Sequence, residues 1–271
     1  MVTLLYYQNA RCFSWDTIGS VHEFSENEDP HFPLFSQRCC PTDDSLLTGA
    51  VALGLLEGTT DFRRYLVEAY KRPAAKMAPT PPCWGAGFGE WARVGGQEDR
   101  ASFGNGAAMR VSPVAWAARD EAEVLALALA TAQPSHGHPE GIKGAQCTAL
   151  CIWVARQTRD PAAVRQAAQR FYPHLPTLSF IRKHHSYNET CQGCVPECIT
   201  LATESGSFEQ AIRAACSIRG DADTLAAITG SIAQPLYGIP SDIRTETLAR
   251  TTPYYPWLTQ TLLDFETRFG S

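Results

Sequence analysis

Apolar residues along this chain recur at helical rather than alternating spacing, and several of the segments they define begin on oxygen-bearing side chains. Leu46, Leu47, Ala50, Val51 and Leu55 form one face of a segment that follows "PTDD". "DEAEVLALALATAQ" opens on acids, which suit the positive end of a helix. "GIKGAQCTALCIWVARQ", "DPAAVRQAAQRFY" and "SFEQAIRAACSI" continue the pattern. The second has Pro161 just inside a capping Asp160, and the third has Ser207 and Gln210 at capping-box spacing. Strand signals are sparse and no internal repeat is evident. The pattern predicts an all-α fold, and the Ala and Gly on the helical faces predict helices packed closely in a compact bundle rather than a long coiled coil. "KRPAAKMAPTPPCWGAGFGEW", Lys71 to Trp91, is rich in Pro and Gly and reads as a long loop, a kind of segment that is usually functional or mobile. Residues on both sides of it carry complementary chemistry, so one domain over 1–271 is expected.

Composition narrows the function classes. The chain has 271 residues, 44% hydrophobic and 19% charged, with a formal net charge of -5. Its apolar runs are too short to span a bilayer, and its N-terminus lacks the basic start and apolar core of a secretory signal. A cytoplasmic location, with a small molecule or another protein as partner and no membrane, is the expectation. An acidic balance without a Lys/Arg cluster makes nucleic acid a poor partner. Ten cysteines in a long, unsignalled chain read as reduced thiols. Cys191, Cys194 and Cys198 superficially resemble a zinc half-site, but no second C-x-x-C follows, and packed core thiols are the better reading.

Two helix starts carry an excess of oxygen ligands. Asp221, Asp223 and Thr224 precede "LAAITGSIA", and Thr42, Asp43 and Asp44 precede "SLLTGAVALGLL". One oxygen suffices to cap a helix. If the bundle brings these starts together, four carboxylates and two hydroxyls converge, a cluster that calls for cations. All-oxygen ligation points to Mg²⁺ or Mn²⁺, and this many carboxylates could hold two ions about 3.5–4 Å apart. Two ordinary caps far apart are the alternative. A further segment, "ASFGNGAAMRVSPVAW", places Gly104, Asn105 and Gly106 in a turn whose N–H groups could hold phosphate oxygens, although the motif is also that of a plain turn. "SHGHPEGIKGAQ" puts His136 and His138 before another helix start.

In order, "DTIGSVHEF", "FPLFSQRC", "TDDSLLTGAVALGLL", "SFGNGAAMRVSPV", "SHGHPEGIKGAQ", "ETCQGCVPE" and "GDADTLAAITGSIAQPLYGIP" closely resemble the ADP-ribosylglycohydrolase family, which includes dinitrogenase-reductase-activating glycohydrolase. The resemblance runs from about residue 16 to residue 240. It implies an all-α orthogonal multi-helix bundle with a dinuclear Mg²⁺ or Mn²⁺ centre that removes ADP-ribose from modified protein side chains or small conjugates. By the same resemblance Thr42, Asp43, Asp44, Asp221, Asp223 and Thr224 are metal ligands, with Asp43 and Asp223 also serving catalysis. Glu23 is the acidic residue near the metals and the scissile bond, the candidate for acid/base work. Ser102, Phe103, Gly104, Asn105, Gly106 and Met109 contact the diphosphate and distal ribose, and His136 lines the cleft. A monomer is the expected state.

The chain departs from the family pattern at Trp15, where a Gly usually precedes the first Asp, and at Arg219, where a Gly often precedes "GD". Ser45 keeps the hydroxyl of a common Thr. The complete ligand set and Glu23 favour an active hydrolase; Trp15 and Arg219 keep open a catalytically impaired relative acting as a binding, immunity or structural protein.

Overall fold

The computed structural model describes residues 33–35, 39–76, 84–218 and 220–270. Glu23, Trp15 and Arg219 lie outside them. The described residues form helices with no named strand. In chain order they are α1 (Asp43–Leu56), α2 (Arg63–Lys71), α3 (Ala86–Arg93), α4 (Gly106–Met109), α5 (Ser112–Ala117), α6 (Glu121–His136) and α7 (Pro139–Thr158). There follow α8 (Pro161–Gln169), α9 (Leu178–His184), α10 (Cys191–Thr203), α11 (Phe208–Ser217), α12 (Ala222–Tyr237), α13 (Ser241–Thr251) and α14 (Pro256–Phe269).

The longest helix, α7, sits at the centre and packs against α6, α8, α10 and α12, while α1 packs against α2, α14 and α5. Both α1 and α12 are buried around almost their whole circumference, as expected of helices whose apolar and small residues leave no polar face. Small residues set the approach distances. A Cβ on Gly144 of α7 would lie 2.4 Å from the Cys191 sulfur of α10, and one on Gly49 of α1 would lie 2.3 Å from Leu258 of α14. One continuous apolar cluster runs from Leu46 through Leu150's neighbours Ala149 and Cys151 to Phe265.

The expected helices are all found, with one correction. The segment from Lys71 to Trp91 is not loop throughout, because α3 occupies Ala86–Arg93. Phe88 and Trp91, three residues apart, give it one apolar face, buried and stacked in series with Trp84. Burial of these rings overrides the poor helix propensity of Gly87 and Gly89. At α11 the Ser207 hydroxyl accepts from Gln210 N as expected, but the Gln210 side chain reaches back to Gly206 N rather than to Ser207 itself. Among the described residues no helix is long and apolar enough to cross a membrane.

Candidate metal and ADP-ribose site

The fold brings the starts of α1 and α12 together although they are separated by most of the chain. The Thr224 hydroxyl of α12 donates to Asp44 Oδ1 at 3.1 Å, and the Thr42 hydroxyl donates to Asp44 Oδ2 at 3.1 Å. Asp44 is buried between these two hydroxyls, while Asp43, Asp221 and Asp223 keep part of their surface open. Neither N-cap residue, Thr42 or Asp221, makes a side-chain capping bond. Their oxygens are turned toward the cluster instead of toward the helix N–H groups.

Electrostatics mark the cluster as one unit. Burial, then the charges of Asp223 and Asp221, hold the Asp43 carboxyl well above the usual range, and burial with Asp43 and Asp221 does the same to Asp44. Burial and Asp223 raise Asp221, while Asp223 is raised to about 6 by burial and by Asp44. Asp221 and Asp223 share a hydrogen bond, so one proton between them eases their repulsion. Carboxylates crowded in this way must take up protons or cations. The donor set is entirely hard oxygen, which fits Mg²⁺ or Mn²⁺ and not a thiol-seeking ion. Among the described residues, no three His, Cys, Asp or Glu side chains are already drawn together closely enough to hold an ion.

The Gly104–Gly106 turn is tied to this cluster. Asn105 Nδ2 donates to Asp221 Oδ2 at 2.7 Å and lies 3.7 Å from the Cys194 sulfur, and the Met109 sulfur accepts from Thr224 at 3.8 Å. The start of α10 holds the turn from the other side. Gly104 and Thr190 form an antiparallel bridge, Asn105 N donates to Glu189 O, and the Cys191 and Cys194 thiols donate to Gly104 O (3.1 Å) and Asn188 O (2.8 Å). Cys198 donates to Leu225 O. The three thiols are thus spent as donors between elements, and burial pushes Cys191 up to about 12 and the other two further still. That is the chemistry of packed core thiols.

The remaining candidates fall around the turn. Ser102 Oγ accepts from Gly104 N at 3.1 Å, and Phe103 is exposed, edge-on to His138. His136 is buried against the turn, its Nε2 only 2.8 Å from where a Cβ on Gly106 would sit. His138 caps α7 through Nδ1, which accepts from Glu140 N. Gly220, with φ +152°, precedes Asp221 in a conformation that favours glycine. Behind it the buried His185 pairs with Glu197 at 2.5 Å, and a Cβ on Gly220 would strike His185 Nε2.

Sequence reasoning missed several participants. Gly85 N–H donates to the Asp43 carboxylate, so the segment before α3 reaches the site. Glu189 adds negative charge near Asp221. Arg110 is fully buried just after α4, its Nη2 donating to Thr131 O and Ser135 Oγ, both at 2.8 Å. The signal for Arg110 was available: one charge set among apolar residues in "GAAMRVSPVAW".

Comparison with known proteins bears on the fold and the family. A solved structure described as an ADP-ribosylglycohydrolase-related protein complex is similar to this chain with a TM-score of 0.65, at 19% sequence identity, over 98% of this chain and 94% of that chain. At that identity the likeness concerns the fold. No curated protein sequence matches. The family model for ADP-ribosylglycohydrolases matches residues 13–269, nearly the whole sequence, and this all-α chain therefore belongs to the ADP-ribosylglycohydrolase family.

Proposed function

We propose that this chain is a divalent-metal-dependent hydrolase that cleaves the glycosidic bond joining ADP-ribose to a modified protein side chain or a small conjugate. The observation that carries this reading is the pairing of the two helix starts, with Thr224 of α12 hydrogen-bonded to Asp44 of α1 and neither Thr42 nor Asp221 spent on capping. Thr42, Asp43, Asp44, Asp221, Asp223 and Thr224 would hold two Mg²⁺ or Mn²⁺ ions. Such ions supply Lewis acidity and lower the pKa of bound water.

The chain's own residues do the rest. Asn105 fixes the Asp221 carboxylate, and the turn around it offers backbone N–H groups to phosphate oxygens. Asp43 and Asp223 would stabilise the oxocarbenium-like charge that develops at the anomeric carbon of the ribose, Glu23 would protonate the departing group as its bond to that carbon breaks, and water would add to the carbon and give up a proton. Holding the sugar in one pose removes much of the entropic barrier. Removal of ADP-ribose in this way would reverse mono-ADP-ribosylation.

A second reading, a non-catalytic relative with a binding, immunity or structural role, draws on the departures from the family pattern at Trp15 and Arg219. The test is release of ADP-ribose from ADP-ribosyl-arginine and ADP-ribosyl-serine peptides in Mg²⁺ and in chelator, with Asp223→Ala as control. Metal-dependent release that Asp223→Ala abolishes supports the hydrolase. No release from either peptide, together with no divalent-ion binding, sinks it in favour of the second reading.

A further inference from the structure

Arg110 is an unusual residue to bury. Its side chain is 0% exposed, and among the described residues it has no carboxylate partner and its Nε and Nη1 have no hydrogen-bond partner. Burial lowers its pKa to about 9, still well above neutrality, so the guanidinium is charged. All of its hydrogen bonding runs through Nη2, to Thr131 O and to Ser135 Oγ. Ser135 Oγ in turn lies 2.8 Å from His136 Nδ1, and Ser135 is itself fully buried.

We infer that Arg110 is a positioning residue which, through Ser135, holds His136 as the neutral imidazole with its proton on Nε2, so that the Gly104–Gly106 turn presents a fixed N–H donor to an acceptor oxygen of the bound diphosphate. The direction of the relay follows from the donor inventory. A guanidinium can only donate, so Ser135 Oγ accepts from Arg110. The Ser135 hydroxyl has one proton, and His136 Nδ1 is the acceptor within reach. Nδ1 must then be unprotonated, which leaves the ring proton on Nε2. The opposite tautomer would give Ser135 Oγ two donors and leave its own buried proton without an acceptor.

Geometry then aims that proton. The Nε2 edge of His136 lies against Gly106 and Gly104, at 2.8 Å and 3.6 Å from where their Cβ atoms would be, so glycine at 106 is what allows the ring edge to reach the turn. Among the described residues His136 Nε2 has no hydrogen-bond acceptor, and a donor so placed is available to a ligand. Charge keeps the ring neutral as well. Burial, and then the guanidinium groups of Arg110 and Arg100, hold the His136 pKa well below its usual value.

The ligand half of this inference rests on the proposed function; the relay itself does not. Imidazole ¹⁵N shifts of ¹⁵N-histidine-labelled, metal-free protein report the tautomer directly. The expected result is an unprotonated Nδ1 and a protonated Nε2 for His136, unchanged between about pH 5.5 and 8, where an ordinary histidine titrates. Ser135→Ala should give a mixed tautomer and weaken ADP-ribose binding, measured calorimetrically in Mg²⁺, in proportion to the share of rings that leave the Nε2–H form, about twofold for an even mixture. Arg110→Lys, which keeps a donor to Ser135, should retain the wild-type shifts; Arg110→Met should lose them. A wild-type Nδ1–H tautomer, an imidazolium at pH 6, or a Ser135→Ala spectrum identical to wild type would overturn the relay. The expected spectrum with no ADP-ribose binding would instead overturn the functional reading and leave the relay standing.

Discussion

At Asp120, Asp160, Thr177, Thr190 and Ser207 the residue before a helix spends its side-chain oxygen on a backbone N–H of the first turn. Thr42 and Asp221 occupy the same position before α1 and α12, and neither does so. The sequence chemistry at the two sets is the same, Thr, Ser and Asp ahead of an apolar run. What differs is where the oxygens go: the first set satisfies its own helix, and the second set is gathered with Asp43, Asp44, Asp223 and Thr224 at one place, with carboxyl groups forced toward protonation by burial and by one another. A cap stabilises the helix it belongs to. A repelling cluster destabilises the fold until something positive enters it, which is the signature of residues kept for function.

That contrast is open to direct attack by substitution. The largest effect is expected at the second set. Asp44→Asn should lower divalent-ion affinity by more than about 100-fold, since even the partners of metal ligands are worth 10–100-fold. Measured by thermal melting in chelator, the same variant should be no less stable than wild type, because a repelling charge has been removed. Substitution next to the turn comes second. Gly106→Ala drives a methyl into His136 and should cost about 1–3 kcal/mol of stability, as overpacked cores do, read from the denaturation midpoint.

Much of this contrast was legible in the sequence, and the reasons for the exceptions are physical. Periodicity and capping residues placed α6, α7, α8 and α11, because local chemistry and tertiary packing agree there. Duplication of Thr and Asp at two starts pointed to a shared site, and the Thr224–Asp44 bond joins them. Composition misjudged α3, whose glycines favour loop but whose Phe88 and Trp91 find a core to bury in. Gly85 and Ser135 escaped notice because their importance comes from what they touch, and a backbone N–H or a lone hydroxyl has no spacing to announce it; Arg110 was legible as a charge among apolar residues and was passed over. The "GNG" motif read as either a phosphate turn or a plain one, and the space left by Gly106 for His136 depends on a partner thirty positions away in sequence and invisible to local pattern.

Smaller effects belong to the capped set. Asp120→Ala removes the bond from Glu123 N, 2.8 Å long, and should cost about 1 kcal/mol. For a chain of this size that is a fall of about 2–4 °C in melting temperature, with divalent-ion affinity unchanged. The pH dependence of the second set has a definite sign. The Asp223 pKa is raised in the folded state, to about 6, so the folded protein binds more protons than the unfolded chain; the stability this contributes is full below the unfolded pKa and lost as pH rises through about 6. Melting in chelator between about pH 4 and 7 should show that loss in wild type and a weaker one in Asp223→Asn.

The central claim, that two remote helix starts form one split metal site, is tested most directly by a Mn²⁺ titration of four proteins: wild type, Asp44→Asn, Asp221→Asn and the double variant. If the halves act as one site, wild type binds and either single change removes binding as completely as both together, the non-additivity expected of ligands sharing an ion. Wild type that binds no Mn²⁺, or single variants whose losses simply add, would contradict it.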